Sequence, residues 1–177
     1  MNDHCRVYKY ENWKEIVGMY RHKALFKLGI ATWLSKSMQE SQFYNKIEEL
    51  LEVCWNWVEN HEVSADYIYS LLDDGTEFGG IFIYMQEDDS KYESRWNCIF
   101  EAGASIASLA YKFEGKKYIP ALLEEIDSAQ QEEFFSEQLE NILGSKIQLL
   151  DDFKNYLLVD NEKNKEKILE KLSDMLD

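Results

Sequence analysis

The 177-residue sequence is poor in chain breakers, with one proline, Pro120, and eight glycines. That scarcity excludes the frequent turns of a β-sandwich or barrel and leaves room for long helices. Cysteine is scarce too. Cys5, Cys54 and Cys98 are odd in number and widely spaced, which excludes a complete disulfide framework and metal-ligand spacing and fits a reducing compartment. No apolar run approaches the roughly 18 residues needed to span a bilayer, and Met1-Asn2-Asp3-His4-Cys5-Arg6 lacks the basic-then-apolar order of a signal peptide. The expected location is the cytoplasm, with no membrane partner. Basic side chains are outnumbered, 19 Lys and Arg against 34 Asp and Glu, for a formal net charge of −15. Nucleic acid and anionic membranes would be repelled, and a basic partner attracted.

Catalytic and metal-binding patterns are missing as well. His4, His22 and His61 are preceded three residues earlier by Met1, Met19 and Val58, so the Glu-x-x-His pair of di-iron bundles is absent, as is His-Glu-x-x-His. The alternating calcium-loop pattern and the phosphate-cradling glycine patterns do not occur. Gly103-Ala104-Ser105-Ile106-Ala107 lacks the second glycine of a nucleophile elbow and lies within a helical pattern, so Ser105 reads as a packing residue. Cys54 and Cys98 fall on apolar stripes, where a buried thiol is the plain reading. His61-Glu62 falls at a helix end and reads as exposed. No catalytic residue, cofactor or metal is assigned.

What is present is core-forming material: 45% apolar residues and 14% aromatics, enough for one folded domain over residues 1–177. Apolar residues recur at spacings of three and four over 11–36 (Trp13, Ile16, Val17, Tyr20, Ala24, Leu28, Ala31) and 41–60 (Phe43, Ile47, Leu50, Leu51, Cys54, Trp57, Val58), which predicts two long helices. Phe26, Ile30, Trp33 and Leu34 widen the first stripe, so that helix is expected centrally. Ser64 caps a short helix that Asp73-Asp74-Gly75 terminates. Residues 78–85 are ambiguous between strand and helix; with no second strand to pair with, helix is preferred. Ser90-Lys91-Tyr92-Glu93 has capping-box spacing and opens a helix to about Phe113, whose small residues 102–108 allow close backbone approach and mark a buried spine. A packing reason is expected for Gly103. Pro120 begins a short helix to about Ile126, Ser128 caps another that Gly144 ends, and two more follow, the last from about Asn161 and packed at the edge. The expected fold is an all-α, multi-helix bundle of about seven to nine helices.

The acidity is local. Residues 59–93 hold ten acidic side chains against Lys91, and 118–152 hold nine against Lys146, so the rest of the chain sums to +2. A solvated exterior is the plain account of these carboxylates, and a protein-docking face is the other. On the second account the partner-binding candidates are Asp73, Asp74, Glu77, Glu87, Asp88 and Asp89 from the first block, and Glu124, Glu125, Glu132 and Glu133 from the second.

The Trp-bearing first helix, the Cys54-Trp55-Asn56-Trp57 end of the second, and Trp96 leading into Phe100-Glu101-Ala102-Gly103 together resemble an all-α group of bacterial polymorphic-toxin immunity proteins, over residues 10–113. The resemblance implies a non-enzymatic protein that binds and neutralises a cognate toxin domain, basic where that toxin acts on nucleic acid. It carries over no binding residue. An enzymatic or small-molecule-binding bundle with a site near Trp55, Trp57, Trp96 and Glu101, and a regulatory oligomer marked by a large exposed apolar patch, are the competing expectations.

Overall fold

Eight α-helices run through the described residues of the computed structural model, and no strand occurs among them. The structure describes residues 13–160 and 162–177, and of residues 13–19 only the helical backbone; readings that fall on His4, Cys5 and Asn161 lie outside the described residues. The helices are α1 (Trp13–Ser35), α2 (Tyr44–Asn60), α3 (Ala65–Leu72), α4 (Ile81–Glu87), α5 (Glu93–Phe113), α6 (Ala129–Leu143), α7 (Leu150–Asp160) and α8 (Lys165–Leu176), with 3₁₀ turns at Lys36–Met38, Ser90–Tyr92, Ala121–Leu123 and Gly144–Leu149. The all-α expectation holds.

The core is built around α5. Every residue from Glu101 to Tyr111 is buried, because α1, α2, α3, α4 and α6 all pack on this one helix. Its small residues make that possible. A Cβ on Gly103 would lie 2.9 Å from the Cδ2 atoms of both Leu50 and Leu72, so the glycine makes room for side chains of α2 and α3 against α5. That is the packing reason its cost in helix propensity requires. α1 is the second central element, touching α2, α5, α7 and α8. Gly29 of α1 plays the part of Gly103 on the other side, with Ile168, Leu172 and Phe153 each 3.2 Å from where its Cβ would be.

Local signals explain most of the boundaries. The Ser64 hydroxyl accepts from the Tyr67 amide, Ser128 from Gln131, and Asn164 from Lys167, each satisfying an amide that the first helical turn leaves without a partner. Gly144, at φ +55°, ends α6. Residues 81–87 form helix, with Gly80 at φ +93° as the turn before it; an isolated strand here would have left its amides and carbonyls without partners.

Three expectations need correction. Asp89, not Ser90, caps the turn before α5: its carboxylate accepts from the Lys91 amide, and Ser90 is already inside the 3₁₀ turn. The charged acceptor one residue upstream wins over the hydroxyl. Pro120 precedes a three-residue 3₁₀ turn, Ala121–Leu123, in place of a helix reaching Ile126. The last helix begins at Lys165 behind the Asn164 cap. As expected it packs at the edge, with one buried stripe, Ile168, Leu172 and Leu176, seated on α1, where Gly29 leaves room for Ile168 and Leu172.

Candidate functional site

The ten carboxylates expected to face a partner divide in two. Five have work inside the chain. Asp73 closes α3 and accepts from the Gly75 amide at 2.9 Å. Asp74 accepts from the amide and hydroxyl of Thr76 at 2.9 and 2.7 Å, which holds its carboxyl below the usual range. Asp88 accepts from the buried Trp96 indole at 2.8 Å and from Ser41 at 2.5 Å, so it fastens α5 to the start of α2. Asp89 is the cap described above, and Glu132 is paired with Lys23 of α1. The other five, Glu77, Glu87, Glu124, Glu125 and Glu133, are exposed and form no ion pair among the described residues.

Where the two acidic stretches sit follows from α5. Asn97 donates to Gln138 of α6 at 3.2 Å, and Phe100, three residues on, meets Phe82 of α4 with ring centroids 6.1 Å apart. Residues three apart share a helix face, so α4 and α6 lie on neighbouring stripes of α5. At its far end Lys112 pairs with Asp127 at 2.7 Å, and Tyr111 donates to Asp66 at 2.5 Å. Asp66 also accepts from Lys116, and that hydrogen bond, then the one from Tyr111, holds its carboxyl below the usual range.

Large apolar side chains stand exposed close in sequence to these carboxylates, and others do so elsewhere, as on α7. Phe78 in the α3–α4 loop is 82% exposed, Tyr118 before the Ala121–Leu123 turn is 73% exposed, and Phe82 and Leu122 are partly exposed. Sequence reading missed Phe78 and Tyr118. The signal for Phe78 was its place beside Gly79-Gly80, outside any helical period.

The residues of the competing ligand-site expectation are core. Trp55 and Trp96 are buried outright and Trp57 nearly so, and the Trp55 indole donates to Thr32 at 2.9 Å inside the α1–α2 contact. Glu101 forms a buried ion pair with Lys27, Nζ to Oε2 3.2 Å; burial pushes its carboxyl up and the lysine only partly offsets that. A cavity of about 260 Å³ opens beside Lys27 instead, lined also by His22, Lys23, Phe26, Phe135 and Lys154. Ser105 is buried, Cys54 and Cys98 are buried thiols, and burial pushes Cys98 up to about 12. His61 is exposed and stacks on Phe113, centroids 4.6 Å apart. No group of three His, Cys, Asp or Glu side chains that could hold a metal ion occurs among the described residues, and no helix among them is long and apolar enough to cross a membrane.

A family model described as immunity protein Imm6 matches residues 22–142, well over half of the chain, from within α1 nearly to the end of α6. No curated protein and no solved structure matches.

Proposed function

The chain belongs to the Imm6 family of immunity proteins, and on that footing we propose that it binds and neutralises a cognate toxin domain of a polymorphic toxin system in the cytoplasm of the bacterium that makes both. The toxin domain is basic and acts on nucleic acid, and the protein engages it through acidic surface on the α3–α4 and α6 sides of α5, without catalysis, cofactor or direct nucleic-acid contact. The observation that carries this reading is the set of exposed carboxylates that form no ion pair among the described residues, Glu77, Glu87, Glu124, Glu125 and Glu133, which lie on or next to elements that pack on α5. Like charges left uncompensated repel each other in the free protein. A basic partner relieves that repulsion and is drawn in faster by the same field.

The test is rescue of growth. Cells expressing the toxin domain encoded beside this gene should survive when the protein is co-expressed, and the two should co-purify. Replacing the five glutamates by glutamine together should weaken association and flatten its dependence on salt, with little change in stability, because none of the five holds the fold. A failure of the wild-type protein to rescue or bind would remove the immunity reading. Unchanged affinity in the five-fold variant would remove the acidic-surface mechanism alone.

A further inference from the structure

The α3–α4 loop, Asp73 to Gly80, is built to hold one aromatic ring in water. Asp73 takes the Gly75 amide, Asp74 takes the amide and hydroxyl of Thr76, and the Thr76 hydroxyl takes the Phe78 amide at 3.3 Å. The loop is also folded back as tightly as glycine allows. A Cβ on Gly79 would fall 1.7 Å from a carboxylate oxygen of Asp74, and one on Gly80 would fall 2.6 Å from the Leu72 carbonyl oxygen. Out of this ordered loop Phe78 projects with 82% of its surface exposed, and four residues on, at the start of α4, Phe82 adds a second ring at 40%. Leaving a phenyl ring in water forgoes the burial that an ordered loop could have given it. An ordered, desolvatable aromatic is the usual form of an interface anchor.

The charge around these rings says what covers them. From residue 59 to residue 90 the sequence has no lysine or arginine. Glu77, the immediate neighbour of Phe78, forms no ion pair among the described residues, and the one lysine lining the shallow hollow beside Asp74, Lys46, is taken by Glu49 at 2.9 Å. The partner that fits is therefore a basic protein surface with an apolar pocket at its centre and lysine or arginine around the pocket.

We infer that Phe78, supported by Phe82, is the aromatic anchor by which the protein docks onto its basic toxin domain, with Glu77 supplying charge at the rim. The inference rests on the immunity reading and names the surface that serves it. The experiment measures affinity of the full-length protein for the purified toxin domain encoded beside it, by calorimetry or surface plasmon resonance, for Phe78→Ala, Phe82→Ala and Glu77→Gln. Val159→Ala, an exposed apolar side chain on α7 (81% exposed), serves as control. Phe78→Ala should weaken binding by about 30-fold or more, as a hot-spot truncation does. Its melting temperature should not move, since the ring is barely buried. Glu77→Gln should chiefly slow association at low salt. Val159→Ala should bind as wild type. Wild-type binding with Phe78→Ala and Phe82→Ala both within two-fold of it would overturn the anchor and leave the immunity reading standing. No binding by the wild type would overturn both. A concentration-dependent dimer that Phe78→Ala dissolves would reassign the face to self-association and overturn the anchor as stated.

Discussion

The buried Lys27–Glu101 pair offers the sharpest test of how α1 and α5 are held together. Lys27 is 6% and Glu101 4% exposed, with 3.2 Å between Nζ and Oε2, so both charges are almost wholly withdrawn from bulk solvent, although Lys27 borders the cavity. Lys27→Met removes the cation, keeps the volume, and leaves a carboxylate desolvated without a counter-charge; that is expected to cost about 3–5 kcal/mol. For a chain of this length the loss corresponds to a fall in Tm of about 6–20 °C. Replacing both partners with apolar residues, Lys27→Met with Glu101→Leu, desolvates no charge and is expected to lie between unchanged and about 4 kcal/mol more stable. The cost of Lys27→Met should also depend on pH. Burial already holds the Glu101 carboxyl above its ordinary value in the folded protein, and losing Lys27 raises it further. A carboxyl whose folded pKa exceeds its unfolded one binds its proton more tightly when folded. The stability it contributes is therefore present at low pH and declines as pH rises from the unfolded to the folded pKa. Relative to wild type, Lys27→Met should recover stability as pH is lowered toward the ordinary carboxylate range. Urea unfolding followed by tryptophan fluorescence at several pH values reads both effects. A cost under about 1 kcal/mol, or one that does not vary with pH, would refute the picture of a dry, interdependent pair.

Three further outcomes follow from named contacts. Asp88→Ala leaves the buried Trp96 indole and the Ser41 hydroxyl without their acceptor and should destabilise by about 1–3 kcal/mol in a urea melt, whereas Glu87→Gln beside it should change nothing measurable. Gly80→Ala meets the Leu72 carbonyl oxygen at 2.6 Å with φ at +93°, so a cost of about 1–3 kcal/mol is expected; a melting temperature equal to wild type would show that the loop relaxes freely. Gly103→Val forces a branched side chain between Leu50 and Leu72 and should cost about 1–3 kcal/mol by overpacking, which calorimetric melting would register.

Much of the scaffold was legible because helix signals are local. The period of three and four in α1 and α2, the Ser64 and Ser128 caps, and the Gly144 stop are all set by residues within a turn or two of one another, and the small-residue run 102–108 announced a buried spine before any neighbour was known. The boundary misread at Ser90 turns on competition between adjacent capping groups, where the Asp89 carboxylate one residue upstream decides; at Pro120 no side chain caps the segment, and the chain closes into a three-residue 3₁₀ turn. Among the acidic candidates, the sequence locates the charge but not its use. Nothing in the order of residues says that Asp88 holds Trp96 and Ser41 while the Glu87 carboxylate beside it forms no ion pair among the described residues, or that Glu132 pairs with Lys23.

The chain by itself thus determined an all-α domain with family landmarks and two acidic stretches, because composition, periodicity and capping act over short distances along the chain. Only the tertiary structure decided which carboxylates are committed to the fold, that Lys27 and Glu101, 74 residues apart, share one buried contact, and that Phe78 stands in solvent. Those outcomes depend on which helices meet across α5. That meeting is settled by the fit of small residues such as Gly29 and Gly103 against distant side chains, and no local pattern encodes it.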